Sequence, residues 1–480
     1  MEKSYLTYED FGALGNGIND DFDAIIAAHE EANRLGLPIK ARSGAVYYIG
    51  GADKNAVIKT DVDFGTARFV IDDRQVERNA SYVFSVESDY AFEPIEITTL
   101  GRTQKRIDIG RRGSHIVRVY NDDAPIYIRK GLNRNNGTAT QDVFLVDDEG
   151  NIFPSVNFDY PKVTRAEAKR IDDTPITIKG GVFITIANHQ ESFYRYMQRG
   201  FRITRANVTI CDYCHYVEGE LEQGAPYHGF LRSEFAAHLT VKDAVITPRF
   251  KYFTESKEPG KKVAMGSYDL SFWSSVDVRC INVKQTIDIT DDRYWGVYTS
   301  NFCKELHLDN CIFSRFDAHQ GVTNFSVKNS RLGHMGALLI GFGEGLIENT
   351  EITSRALFSL RGDYGATWNG NITVKNCVWN PRGGCAVMSA WNEEDHDFGY
   401  PCSEPHTVTV EGLRINDASL GDKKVYLLPS FKKSTDGEIT APYGRVERLV
   451  LGGITTESGR AVELCELPEL YPDVEVVGEL

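Results

Sequence analysis

Two periodicities organise the chain. Over residues 25–35 the apolar side chains Ile25, Ile26, Ala28, Ala32 and Leu35 recur at helical spacing, and Gly36 follows as a stop. Asn19 or Asp20 is the expected N-cap, with Asp21 and Asp23 in the first turn where the helix dipole favours negative charge. Ser43-Gly44 then turns the chain into a strand over 45–49. Residues 90–180 instead show period-two alternation, as in Arg106-Ile-Asp-Ile and His115-Ile-Val-Arg-Val, broken by the turn Asp147-Asp-Glu-Gly150. This pattern predicts antiparallel strands, either a small inserted module or an irregular start to the repeats that follow.

From about residue 180 one short unit recurs: an apolar strand, a charged residue, Asn, then a second strand. Leu306-His-Leu-Asp-Asn310, Phe325-Ser-Val-Lys-Asn329, Leu346-Ile-Glu-Asn349 and Ile372-Thr-Val-Lys-Asn376 place their asparagines 19, 20 and 27 residues apart. Weaker copies put Asp243, Cys280, Gly412 and Gly452 at the same point. Asn tolerates left-handed backbone and can bond its neighbours above and below, so these positions read as scaffold. Fixed-period repeats mean a solenoid, which makes a domain count from the length of 480 residues misleading.

The segment Asp10-Phe-Gly-Ala-Leu-Gly-Asn-Gly-Ile-Asn-Asp-Asp, together with the asparagine repeat, resembles the right-handed parallel β-helix superfamily of pectate lyases, polygalacturonases and phage tailspikes. Asn16 stands where that motif usually has Asp. The resemblance covers about residues 1–75 and 180–455. It implies an all-β chain, a right-handed parallel β-helix solenoid with an N-terminal capping helix, to which the alternation over 90–180 adds a small inserted β module. The expected divisions are 1–75 for the cap and first coils, 90–180 for the module and 181–480 for the solenoid that carries a cleft. The superfamily also implies a carbohydrate substrate and allows a homo-oligomer.

Composition narrows the partners. A formal net charge of −15 and a pI near 5.3 argue against a nucleic-acid partner. No apolar run of eighteen residues predicts a membrane span. The first residues carry no apolar leader core, which fits a cytoplasmic protein, or a secreted or periplasmic one whose leader has been removed. Nine cysteines in a chain this long read mostly as reduced and buried. Cys211-Asp-Tyr-Cys214-His215 matches a haem-attachment pattern but has no second ligand pair for haem or zinc, and the glycine-rich stretch 12–17 follows no buried strand, so no cofactor is expected.

The longer repeats carry their extra residues in one place, at 289–296, 359–368 and 389–396, where they would wall a cleft over the short floor 316–321. Residues i and i+2 of a strand share a face, and coils stack ~4.8 Å apart, so Asp291 or Asp292, Asp317, His319, Glu344, Arg361 and Asp363 would converge within roughly 15 Å. Carboxylates this close raise one another's pKa, as glycoside hydrolysis requires of its acid. Asp317 with a partner from Asp291-Asp292 is the expected catalytic pair. Tyr294, Trp295, Tyr364, Trp368 and Trp391 are candidate sugar platforms, with His228 and Gln320 at the cleft edge. Each has a structural alternative as turn, ion-pair or packing residue.

The order Asp-Asp, His, Arg is similar to that of polygalacturonases, although His319 sits in Asp-Ala-His-Gln-Gly and Arg361 precedes Gly-Asp, both departures from that family. Hydrolysis of glycosidic bonds is the leading expectation. A polysaccharide lyase acting on a uronate glycan through His319, Arg361 and Tyr364, with Ca²⁺ as a possible helper, is the alternative. A non-catalytic, tailspike-like carbohydrate-binding protein is a third reading, and epimerases and fructotransferases share the fold.

Overall fold

The computed structural model describes residues 4–128, 136–191, 196–255, 260–391, 398–431 and 443–479. By its contacts the chain forms two units, residues 1–91 with 170–298 and residues 92–169 with 299–480. The sequence reading sets a boundary near 181; the contacts instead divide the solenoid near 298 and group the module with the later coils.

The first unit opens with strand Asn16–Asp20 and helix Phe22–Leu35. The cap position falls at Asp21, one residue past Asp20, but its side chain caps no helix amide. Asp21 accepts the amides of Leu14 and Gly15 at 2.7 and 3.1 Å, while Asp20 accepts that of Phe22 at 3.0 Å. The helix buries Phe22, Ile25, Ala28, His29 and Ala32 and ends at Gly36, whose φ of 67° favours glycine. Parallel strands then stack in register. Val62, Ile178, Ile210, Val241 and Cys280 form one buried column, and Phe69 over Phe183 and Phe84 over Phe201 stack face to face at 5.1 and 4.7 Å. Val62 pairs directly with Ile178, so the module is inserted between two adjacent coils. Cys280 is therefore an inward core residue. The corner belongs to Asn282, with φ 54°, which donates to Asp243 at 2.8 Å. The nine cysteines are free thiols, six of them buried. His215 is committed to Asp269 at 2.7 Å and Thr185 at 2.9 Å, which removes it from the haem-like motif. No helix among the described residues is long and apolar enough to cross a membrane.

In the second unit the asparagine column forms. Asn310, Asn329, Asn349 and Asn376 all have φ near 50°, and each backbone N–H reaches the next coil at 2.8–3.1 Å. Asn349 donates to Asn329 at 3.3 Å and Asn329 to Asp309 at 2.7 Å. Gly412 continues the column, but Gly453, not Gly452, takes the left-handed corner above it.

Strands Glu93–Pro94, His115–Ile126, Thr138–Val146, Ile152–Phe153 and Arg165–Arg170 make a five-stranded antiparallel sheet with its own core of Val117, Val119, Phe144, Val146 and Tyr160. Among its described contacts with the second unit's coils is a buried ion pair. Lys304 Nζ meets Asp142 Oδ1 at 2.6 Å, both side chains fully buried, and Lys304 also donates to the carbonyl of Ser155. Thr323 donates to Asn157 at 2.7 Å, and Phe158 lies edge-on to Phe342 at 5.1 Å. Burial pushes the Asp142 carboxyl up and the Lys304 ammonium down, while each partner's charge works in the opposite sense.

Two stability predictions arise here. Lys304→Met or Asp142→Leu should each cost about 3–5 kcal/mol in urea unfolding, since each strands a buried charge. The double replacement should recover much of that loss, and strictly additive losses would show that the pair does not act as a unit. The second concerns His29, which faces Tyr8 Oη at 3.0 Å and whose burial lowers its pKa from 6.5 to about 3. The unfolded chain protonates this group near 6.5 and the folded one does not. Stability is thus complete above pH 6.5 and drains as pH falls toward 3, by a few kcal/mol. His29→Gln should flatten that acid-side slope in melts measured across this range.

Candidate active site

The site is built where the second unit's coils leave regular register. On strand Ile312–Lys328, Phe316 and Ala318 point into the core, and Asp317 points to the other face, in register with Leu338, Ser359 and Ser389 on the next three coils. Past Leu360 the chain makes a short turn, Gly362–Tyr364, closed by Gly365 at φ 92°. That turn folds Arg361 back over Asp317.

The guanidinium of Arg361 donates Nη1–H to Asp317 Oδ1 at 3.0 Å. It also grips Asp363 with two bonds, Nε to Oδ1 at 3.0 Å and Nη2 to Oδ2 at 2.8 Å. Arg315 approaches the other oxygen of Asp317 at 2.5 Å. Asp317 is thus fully buried between two guanidinium groups, while Arg361 keeps 15% of its side-chain surface exposed. Three of its five N–H groups are used in these bonds, which leaves two for a ligand.

His319 lies on the bulge between the Ala318–Leu339 and Val322–Gly341 pairs. Its Nδ1 is 2.6 Å from Asn301 Oδ1, and its ring meets the edge of Tyr364 at 5.3 Å. An amide oxygen can only accept, so Nδ1 carries the proton and Nε2 keeps its lone pair. Burial, and then the neighbouring Arg361 charge, lower the imidazole pKa to about 3. Arg361 itself is held protonated by Asp363 and Asp317 against the opposing effect of burial. The result is a neutral base beside a fixed cation.

The inserted module supplies a wall. Tyr127 packs edge-on against Tyr364 at 5.5 Å and Tyr400 at 5.1 Å, and it comes so close to Gly321 that a Cβ there would lie 2.6 Å from its hydroxyl. Trp391 lies across Gly362, where a Cβ would fall 2.3 Å from the indole, and it remains 45% exposed.

The structure therefore gathers Asp317, His319, Arg361, Asp363 and Tyr364, with Trp391 alongside. The other expected residues of this unit have different settings. Glu344 sits at an exposed corner, where its carboxylate accepts from Asn371 at 2.8 Å. Trp368 is a correction: it points into the core fully buried, donates its indole N–H to Gly343 O at 2.9 Å and cannot meet a sugar. Tyr364 is likewise buried and presents no open face. Gln320 is half-buried, and its carbonyl accepts from Phe302 N.

Asp291, Asp292, Tyr294, Trp295 and His228 belong to the first unit. There Asp291 is clamped by Arg293 at 2.6 Å, Asp292 is exposed, Tyr294 stacks on Phe250 at 4.7 Å, and Trp295 fills the space over Gly266. His228 Nδ1 meets Ser271 Oγ at 2.9 Å. Of the expected wall at 389–396, residues 392–396 lie outside the described residues.

The burial of Asp317 revises the acid–base role expected for it, since it positions Arg361 instead of facing solvent. Sequence reasoning missed Arg315, Asn301 and Tyr127. Arg315 was within reach, two residues before Asp317 and on the same face. Tyr127 arrives from a distant segment that leaves no local signal.

No family model matches the chain, and no curated protein matches it. Solved structures do. Over 95% of its length the chain is similar to the tailspike of Pseudomonas phage phi297, covering 81% of that chain at 13% identity with a TM-score of 0.55. The fold is the right-handed parallel β-helix. Two other solved structures align less closely. They are the surface protein and adhesin PfbA of Streptococcus pneumoniae (96% of this chain, 100% of that one, 13% identity, TM-score 0.46) and the tailspike of Acinetobacter baumannii bacteriophage AP22 (94% and 79%, 10% identity, TM-score 0.46). Within a β-helix of this kind the coil-to-coil register places Asp317, Ser359 and Ser389 in one outward row, and Arg361 closes over its end.

Asp317→Ala should cost about 3–5 kcal/mol in denaturant unfolding, because it removes a buried carboxylate that two guanidinium groups share. Glu344→Ala, at an exposed corner, should change stability by less than about 0.5 kcal/mol. Equal effects of the two would refute the anchoring role of Asp317.

Proposed function

We propose that the protein acts on an acidic polysaccharide or oligosaccharide and cleaves it by β-elimination. The observation that carries this reading is the neutral His319, with Nε2 open, beside a protonated Arg361 that retains two N–H groups. Arg361 would pair with the uronate carboxylate and stabilise the charge that develops on it. His319 Nε2 would take the proton from the carbon next to that carboxylate. The C–H electron pair becomes the new C=C bond as the glycosidic C–O bond breaks, and the departing oxygen takes up a proton. Trp391 offers an exposed ring for an apolar sugar face.

Hydrolysis needs a carboxyl held protonated near neutral pH. In this unit burial raises the pKa of Asp142 and of Glu404, but both are sealed away, Asp142 under Lys304 and Glu404 under Arg445 at 2.8 Å and Tyr471 at 3.0 Å. Asp317 and Asp363 are each paired with arginine. This is why elimination is the better fit.

The test is turnover on polygalacturonate and alginate, followed by the ultraviolet absorbance of unsaturated ends. His319→Ala should lower kcat by at least ~10² with an unchanged melting temperature. New reducing ends without that absorbance would mean hydrolysis and overturn the reading. The acidic limb of the kcat/KM profile should lie well below 6.5, since His319 is the base only when neutral and its pKa is lowered to about 3. An NMR titration of its ring should move upward in Arg361→Gln.

A further inference from the structure

A second feature of the same unit is unusual for so acidic a protein. A cleft of about 430 Å³ is lined by Arg355, Lys423, Lys424, Tyr426 and Ser389, with Glu466 a carboxylate among them. Three cations against one carboxylate invert the sign of a chain whose net charge is −15. Lys424 is held 2.7 Å from Glu463, but Arg355 and Lys423 have no carboxylate within ion-pair distance among the described residues. All three cationic side chains are exposed.

The cleft is framed by backbone. Val387 N donates to Tyr426 O, and Tyr426 N to Cys385 O, each at 2.8 Å, which fixes its two walls. Gly384 lets them close, since a Cβ there would fall 2.0 Å from the carbonyl of Arg355. Its rim residue Ser389 stands in the outward row Asp317, Leu338, Ser359, Ser389. Three coil steps of ~4.8 Å separate the ends of that row, roughly 14 Å. A chain laid along this row from Arg361 would meet the cleft at Ser389.

We infer that this cleft is a remote subsite for the acidic residues of a glycan, with Arg355, Lys423 and Lys424 receiving carboxylates several sugars away from His319. The inference rests on the reading of the Asp317–Ser389 row as the track of the substrate. It adds a cause of affinity separate from the chemistry: the cleft selects for charge, and the base and Arg361 act on one residue of the chain.

The test is affinity electrophoresis in gels holding polygalacturonate, alginate, methyl-esterified polygalacturonate or inorganic polyphosphate. At least one of the two acidic glycans should retard the wild-type protein, and the ester should not. Lys423→Gln/Lys424→Gln should weaken the apparent affinity about five-fold or more, two charge-assisted contacts being lost. Both lysines are exposed, so its melting temperature should not move. His319→Ala should bind as the wild type does while losing turnover, which separates failure of the cleft from failure of the elimination mechanism. Absence of retardation by both acidic glycans, wild-type binding by the double variant, or equal retardation by polyphosphate would each overturn the inference, the last by making the cleft a general polyanion site.

Discussion

Each coil passes its backbone hydrogen bonds to the next one in near-constant register, and most other features of the chain answer to that constraint. Phe316, Ala337, Phe358 and Met388 stack as one inward column, and Phe313, Leu332, Ile352 and Trp379 as another. A coil held this way cannot lengthen inside the stack without breaking its neighbours' pairing. Additional residues must leave at a corner and come back, as 361–367 and the whole of 92–169 do. The same constraint fixes Asp317 and Ser389 on one outward row, a precision that a loop could not supply.

Charge does the rest of the arranging. In the second unit, buried ionic groups sit in pairs or larger sets: Lys304 with Asp142, Arg445 with Glu404, and Arg315 and Arg361 around Asp317 and Asp363. The first two hold segments together. In the third, Arg361 keeps part of its side chain exposed and has two N–H groups left over. Arg315 and Arg361 flank Asp317, Asp317 and Asp363 aim Arg361, and burial together with the charge of Arg361 keeps His319 neutral.

The fold was largely legible in the sequence because its rules are local. Left-handed corners call for Asn or Gly, inward positions for apolar side chains, and both recur at coil spacing. Where the reading slipped, it slipped by a residue or two: Cys280 for Asn282, Gly452 for Gly453, Asp20 for Asp21. Composition near a corner is similar on either side of it, and only the backbone bond tells which residue turns. The site was legible in part. His319, Arg361, Asp317 and Asp363 were recognisable as an i, i+2 pattern on neighbouring coils. Asp291 was not recognisable as a partner of Arg293 two residues on, since a short local ion pair and a half-built acid site look the same in sequence. Trp368 was misplaced because an excursion ends where a strand begins, and the boundary decides whether a ring faces in or out. Tyr127 illustrates the remaining gap, a wall contributed from nearly two hundred residues away.

The insertion has a further effect, on the order in which the protein can be made. Strand Val62–Asp72 finds its partner in Ile176–Ile186, more than a hundred residues later in the chain. On a ribosome adding about 5–20 residues per second, that edge stays open for roughly ten seconds before the strand meant for it emerges. An uncovered row of amides and carbonyls is a template for any other strand nearby, including that of a second nascent copy. The antiparallel module, whose strands are close in sequence, can form during this interval. The chain therefore lives for a time with a finished insert hanging from an unfinished stack, and its yield in a cell depends on how well the exposed Val62–Asp72 edge is kept from other partners until residue 186 is synthesised.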